Sequence, residues 1–203
     1  TIHIIRHGQT EFNKLRIIQG SGVDSDLNDR GREQGQLFYE KYKEYPFEVV
    51  LTSTLKRTHQ TVHPFIQTGL PWEQFPEIVE MNWGVHEGKS GNEEMRKDYD
   101  RVVLSGNFDE RIEGGESINE MAERLQKFID HLPTRMEKNI LVCIHGRAMR
   151  CLICLLEQKK LTEMENYPHS NTGLYLIEHS VGGFVVLEKN NTCLLYTSDA
   201  ADD

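Results

Sequence analysis

Two continuous apolar runs in this chain end in the same dipeptide. Thr1 to Ile5 gives way to Arg6-His7-Gly8, and Asn139 to Ile144 gives way to His145-Gly146. Short apolar runs without alternation read as strands covered on both faces, the condition of a parallel sheet with helices above and below. In open α/β sheets ligands bind beyond the carboxyl ends of strands, so His7 and His145 are expected on one rim.

The chain between these runs supplies the crossovers. Asn28 reads as a helix cap, followed by Gln34, Leu37, Phe38 and Tyr42 at helical spacing before Pro46. Glu48 to Leu51, running into Thr52 and Ser53, reads as a second buried strand, and a helix between two such strands implies a parallel pair. Leu55 to Gln67 carries helical spacing, with a kink or break expected at Pro64. Ser117 and Glu120 form a capping box ahead of Ile118, Met121, Ala122, Leu125, Phe128, Ile129 and Leu132, and Pro133 marks the stop. Gly173 to Glu178 and Phe184 to Leu187 flank Gly182-Gly183 and read as a hairpin of edge strands.

A single domain over 1–192 accounts for this pattern, with a small polar insert at about 89–113. A short helix from Asn92 to Leu104 lies in that insert, which reads as a lid over the rim. Residues 193–203 hold no packing residue after Tyr196 and read as a disordered or artificially appended tail.

Composition removes several function classes. Lys and Arg number 23 against 32 Asp and Glu, for a formal charge of -9, and the basic residues are scattered, so a nucleic-acid partner is not expected. No apolar run approaches the ~18 residues of a membrane span, and Thr1 to Ile5 does not resemble a signal peptide. The default expectation is a cytoplasmic chain whose four cysteines stay reduced. Cys151 and Cys154 form an isolated C-x-x-C within an apolar helical stretch, where core packing is the expected role. Asp24, Asp26 and Asn28 begin like a calcium loop, but Asp29 and Gly35 stand where that loop needs glycine and glutamate, so a solvated polar loop is expected.

A small anion remains a fitting partner, because a few converging arginines create a positive pocket on a negative protein. A neutral imidazole suits attack on a phosphate monoester dianion, which repels anionic nucleophiles, and His7 is placed for it. Arg6 and Arg57 can each pair with nonbridging oxygens, and His145 can add a third positive donor as charge shifts. The leaving alkoxide needs a proton. Glu80, ahead of the turn at Gly84, is the carboxylic acid chosen for it, with Glu77, Glu87 and Glu116 near similar turns. The same carboxylate would then activate water against the phosphohistidine, closing a cycle without metal or other cofactor. Neutral His7 together with protonated Glu80 predicts a bell-shaped kcat/KM profile with a mildly acidic to neutral optimum.

These residues lie in motifs that resemble the histidine phosphatase superfamily, in the branch shared by phosphoglycerate mutases and related phosphatases. Arg6-His7-Gly8-Gln9-Thr10-Glu11-Phe12-Asn13 is similar to its R-H-G-x-T-x-x-N signature, and Gln19-Gly20 to the Q-G that follows. Leu27 to Gln34, Ser53 to Thr61, Glu80 to Gly88, Gly115-Glu116-Ser117 and His145-Gly146 resemble further elements in the same order. The resemblance implies a three-layer α/β/α sandwich with a mostly parallel sheet. It also implies a phosphohistidine at His7, a proton donor at Glu80, and a phosphate pocket of Arg6, Asn13, Arg57 and His145, lined or supported by Gln19, Gly20 and Glu87.

Gly146 is assigned to substrate binding with the H-G element, and so is Arg147. The family often has a small residue where Arg147 stands, and this arginine either adds a cation at the rim or points to solvent. In the first case Arg147→Ala would raise KM for substrates with a second acidic group. Between Gly88 and Gly114 there is no adjacent arginine pair and no proline, unlike the longer insert of cofactor-dependent mutases. The expected activity is therefore hydrolysis of a small phosphorylated metabolite. The alternatives are a phosphoglycerate mutase and a noncatalytic phosphate-ester binding protein. Neither the ester nor the oligomeric state is legible.

Overall fold

The computed structural model describes residues 1–192; Cys193 and the expected tail lie outside the described residues. Six strands form one sheet: β1 (Ile2–Arg6), β2 (Val49–Thr52), β3 (Trp72–Gln74), β4 (Ile140–Ile144), β5 (Leu174–Ser180) and β6 (Gly183–Asn191). Their order across the sheet is β3-β2-β4-β1-β5-β6, with β1 to β4 mutually parallel and β5 and β6 antiparallel.

Six α-helices occur among the described residues, the short ones being α1 (Glu11–Lys14) and α4 (Glu93–Tyr99), and helices cover both faces of the sheet. Ile4, Val49, Leu51, Val142 and Ile144 point to one side, where α5 (Ile118–His131) and α6 (Gly146–Leu156) pack. Ile5, Val50, Leu141 and Cys143 point to the other, against Phe38 of α2 (Asp29–Tyr42) and Val62 and Phe65 of α3 (Lys56–Gln67). The period-two alternation of strand side chains thus produces two cores from one sheet.

The local signals act as their chemistry requires. Asn28 Oδ1 accepts from Gly31 N to start α2, and Ser117 and Glu120 close the capping box of α5. Asp24 and Asp26 accept from Lys56 N and Gln60 Nε2 respectively, so the polar loop is tied to the start of α3. Cys151 and Cys154 are buried on α6, where burial pushes the Cys151 thiol up to about 12.

Two expectations need correction. Pro64 stays inside α3: it stands in the last turn, where only one backbone bond is lost, and burial of Val62 and Phe65 holds the helix on the sheet. The hairpin is not made of two edge strands, because β5 lies between β1 and β6 and buries Leu174, Tyr175 and Ile177. Strand β3 carries no sequence signal: its three residues are exposed, so no apolar alternation announces it.

Candidate active site

Strands β1 and β4 are adjacent and in register, Arg6 opposite Ile144, and His7 N continues the ladder to Ile144 O at 2.9 Å. The two histidines that follow these strands therefore meet, with ring centroids 5.2 Å apart. Gly8 sits so close to Gly31 that a Cβ on it would fall 2.5 Å from the Gly31 carbonyl oxygen, so the turn after His7 packs directly on α2.

His7 is buried, and its Nδ1 lies 2.7 Å from Gly8 O. A carbonyl only accepts, so Nδ1 carries the hydrogen and Nε2 keeps its lone pair. Burial, then the positive charges of Arg57 and Arg6, hold the His7 pKa well below the usual value. A neutral imidazole with a free Nε2 is the nucleophilic form.

His145 is arranged differently. Arg57 Nε donates to His145 Nδ1 at 3.2 Å, and His145 Nε2 lies 2.7 Å from Ser53 Oγ. Because a guanidinium can only donate, Nδ1 is the acceptor and the hydrogen sits on Nε2. Burial and then Arg57 depress its pKa far below the ordinary histidine value. In this structure His145 accepts from Arg57 and so holds that guanidinium in place.

Arg57 itself is fully buried, with Nη1 donating to Val23 O at 2.6 Å and Nη2 to Gly20 O at 3.2 Å. Arg6 Nη1 donates to His169 O at 2.9 Å and meets His169 Nδ1 at 3.1 Å, while its buried Nε finds no protein partner. Burial lowers its pKa to about 10, against the opposing pull of Glu80.

Glu80 reaches the N-terminus of α6. Its carboxylate accepts from Arg147 N at 3.1 Å, Ala148 N at 3.0 Å and Met81 N at 2.9 Å. Of the four glutamates considered, Glu80 lines the cleft with Arg6, His7 and Arg57. Glu87 accepts from Trp83 N, and Glu116 is paired with Arg124.

The remaining assigned residues mostly serve protein atoms. Asn13 lines the cleft and its Oδ1 caps Thr10 N at 3.1 Å. Gln19 also lines it, but its amide is occupied by Thr10 and Ser25. Gly20 has little room for a side chain, since a Cβ there would stand 2.7 Å from the backbone carbonyl oxygen of Met81. Gly146 opens α6, and a Cβ on it would press to 3.1 Å of His169 Nδ1. Arg147 neither joins the rim nor faces solvent; it is buried, with its guanidinium on Glu165 and Tyr99.

Sequence reasoning missed His169, which anchors Arg6, and Asn171, whose Nδ2 donates to His7 O at 2.8 Å. Both lie in the loop before β5, where no periodicity marks them. Ser53 stood within a quoted motif, next to the strand end that delivers it to His145.

Beyond the ends of parallel strands β1 and β4, a histidine with the buried Arg57 and the partly buried Arg6 offers positive charge to a small anion. The sequence matches the family model of the histidine phosphatase superfamily (branch 1) over residues 2–192, and the chain belongs to that family. Among curated relatives, a putative phosphoserine phosphatase 2 of Hydrogenobacter thermophilus is 26% identical, covering 85% of this chain and 86% of its own. A probable phosphoglycerate mutase GpmB of Escherichia fergusonii is 31% identical over 75% of this chain and 72% of its own. Among solved structures, a phosphoserine phosphatase from Entamoeba histolytica in complex with phosphoserine superposes with a TM-score of 0.84 at 26% identity, covering 96% of this chain and 98% of that one. Bacillus stearothermophilus YhfR shares the fold with a TM-score of 0.85 at 23% identity, over 96% of this chain and 98% of its own. No helix among the described residues is long and apolar enough to cross a membrane.

Proposed function

We propose that this chain is a phosphomonoesterase that hydrolyses small phosphorylated metabolites through a phosphohistidine on His7, with Glu80 as general acid and base and no metal in the cycle. Family membership and the phosphatase-named relatives support a hydrolase of phosphate esters. The observation that carries the finer reading is the bond from His7 Nδ1–H to Gly8 O, which leaves Nε2 free beside two arginines.

In this reading Arg6 and Arg57 hold the nonbridging oxygens, and Nε2 attacks phosphorus in line with the ester oxygen. Glu80 is the general acid in this reading, its proton passing to the departing alkoxide as the ester P–O bond breaks. Glu80 then takes a proton from water as it attacks the phosphohistidine, releasing inorganic phosphate and restoring both groups.

Turnover of an aryl phosphate with EDTA present, together with intact-mass detection of an acid-labile phosphoenzyme, tests this. The expected result is a gain of one phosphoryl group on wild type and none on His7→Ala. Interconversion of 3- and 2-phosphoglycerate stimulated by the bisphosphate would replace hydrolase by mutase. Ester binding without phosphorylation of His7 would leave only a binding protein.

A further inference from the structure

The cleft lining is of two kinds: His7, Arg6, Arg57 and the Glu80 carboxylate are polar, whereas Ile17, Ile18, Trp83, Met95 and Tyr99 supply an apolar wall, around a space of about 200 Å³. The rings of Trp83 and Tyr99 are nearly parallel, 6.1 Å apart at 15°. Of the residues lining the cleft, the cations are Arg6 and Arg57.

A third guanidinium lies directly behind that wall. Arg147 sits 5.3 Å from the Tyr99 ring centroid and 5.9 Å from that of Trp83. Its Nη2 donates to Tyr99 Oη at 2.5 Å and its Nη1 to Glu165. Tyr99 Oη donates in turn to Glu165 Oε2 at 3.0 Å, and Arg150 Nη1 donates to the same oxygen at 2.5 Å. One carboxylate thus binds two guanidiniums and a phenol, and keeps a charge adjacent to the cleft from entering it.

We infer that Glu165 is a specificity-determining positioning residue. By holding Arg147 behind the aromatic wall it makes the cleft select phosphomonoesters of uncharged, flat or apolar alcohols and reject esters that carry a carboxylate beside the phosphate. An aromatic alcohol gains contact with the Trp83 and Tyr99 faces. A carboxylate laid on the same wall loses hydration and finds no cation to replace it. Selectivity then comes from denial of a partner to the wrong ester as much as from attraction of the right one. The inference rests on reading the cleft as a phosphomonoesterase site.

The test compares benzyl phosphate with O-phosphoserine and 3-phosphoglycerate, all esters of aliphatic alcohols, so that leaving-group reactivity does not decide the order. In wild type kcat/KM is expected to favour benzyl phosphate by about 10- to 100-fold. In Glu165→Gln, which frees Arg147, that ratio falls about tenfold, and in Glu165→Gln/Arg147→Leu it returns. General structural damage lowers all three substrates together and does not move the ratio. Wild-type preference for a carboxylated ester, or a ratio unmoved by Glu165→Gln, overturns the inference. Absence of turnover with every ester defeats the phosphomonoesterase reading instead. Calorimetric binding of benzylphosphonate against phosphonoacetate then still decides the character of the wall: tighter benzylphosphonate upholds it and tighter phosphonoacetate refutes it.

Discussion

His7 and His145 follow adjacent parallel strands and precede glycine, yet their neighbours give them opposite tautomers. Gly8 O takes the hydrogen of His7 Nδ1 and leaves Nε2 unprotonated, whereas Arg57 takes the lone pair of His145 Nδ1 and puts the hydrogen on Nε2 toward Ser53. Equal sequence signatures on one rim thus leave an open Nε2 in one case and a support for an arginine in the other. A histidine's role here is set by the acceptors and donors that the fold brings to it.

Removing each histidine in turn should separate those roles. His7→Ala is expected to lower kcat by at least about 10⁴-fold and to abolish the phosphoenzyme, because no other group can form it. His145→Gln is expected to cost about 10²- to 10³-fold, through a misplaced Arg57, while a phosphoenzyme still forms. Rapid-quench phosphorylation measures both. Equal losses with no phosphoenzyme in either variant would erase the distinction.

The pH dependence sharpens what the two residues share. His7 and His145 are held well below the ordinary histidine pKa by burial and nearby arginines, and burial lowers His3 to about 4 and His169 to about 3. All four are neutral in the folded chain at pH values where the unfolded chain, with histidine near 6.5, is already protonated. Between the folded values and about 6.5 the unfolded state binds more protons, so stability rises with pH through that window and is lost as pH falls. Thermal denaturation should show Tm falling steadily below about pH 6.5, with a shallower slope in His3→Phe. The same shift moves His7 out of the activity profile: the acid limb of kcat/KM should follow the ester's second ionisation, near 6, rather than a histidine. An acid limb that stays fixed when the ester is changed to one of different acidity would return that limb to the protein.

The rim was legible because strand ends and glycine turns leave a sequence mark. The apolar runs before His7 and His145, the cap at Asn28 and the box at Ser117 each state a local preference that the fold obeys. What could not be read lies where contact crosses long stretches of chain. His169 meets Arg6 from 163 residues away, and Glu165 captures Arg147 from 18 residues away across a helix and a loop. Neither the loop of His169 nor the short 3₁₀ turn of Glu165 has an apolar period, and an arginine after His145-Gly146 carries no sign of which carboxylate will claim it. Strand β3 was hidden for a related reason: Trp72 is placed by contacts from distant chain, its indole Nε1 donating to Thr52 Oγ1 at 2.9 Å and its ring stacking on His59 at 4.6 Å.

The smallest expected effect probes the hydroxyl that fixes the His145 tautomer. Ser53 Oγ lies 2.7 Å from His145 Nε2 and also 3.0 Å from Thr58 Oγ1, all fully buried. Ser53→Ala removes the acceptor and leaves a buried imidazole N–H without a partner, at a cost of about 1–3 kcal/mol in stability. The lone pair on Nδ1 remains for Arg57, so the guanidinium keeps its place and kcat should fall only about 3- to 10-fold. Ser53→Thr, which retains a hydroxyl, should recover most of the loss. A drop as large as that of His145→Gln would mean that the hydrogen bond to Ser53, rather than the one to Arg57, is what makes the second histidine necessary.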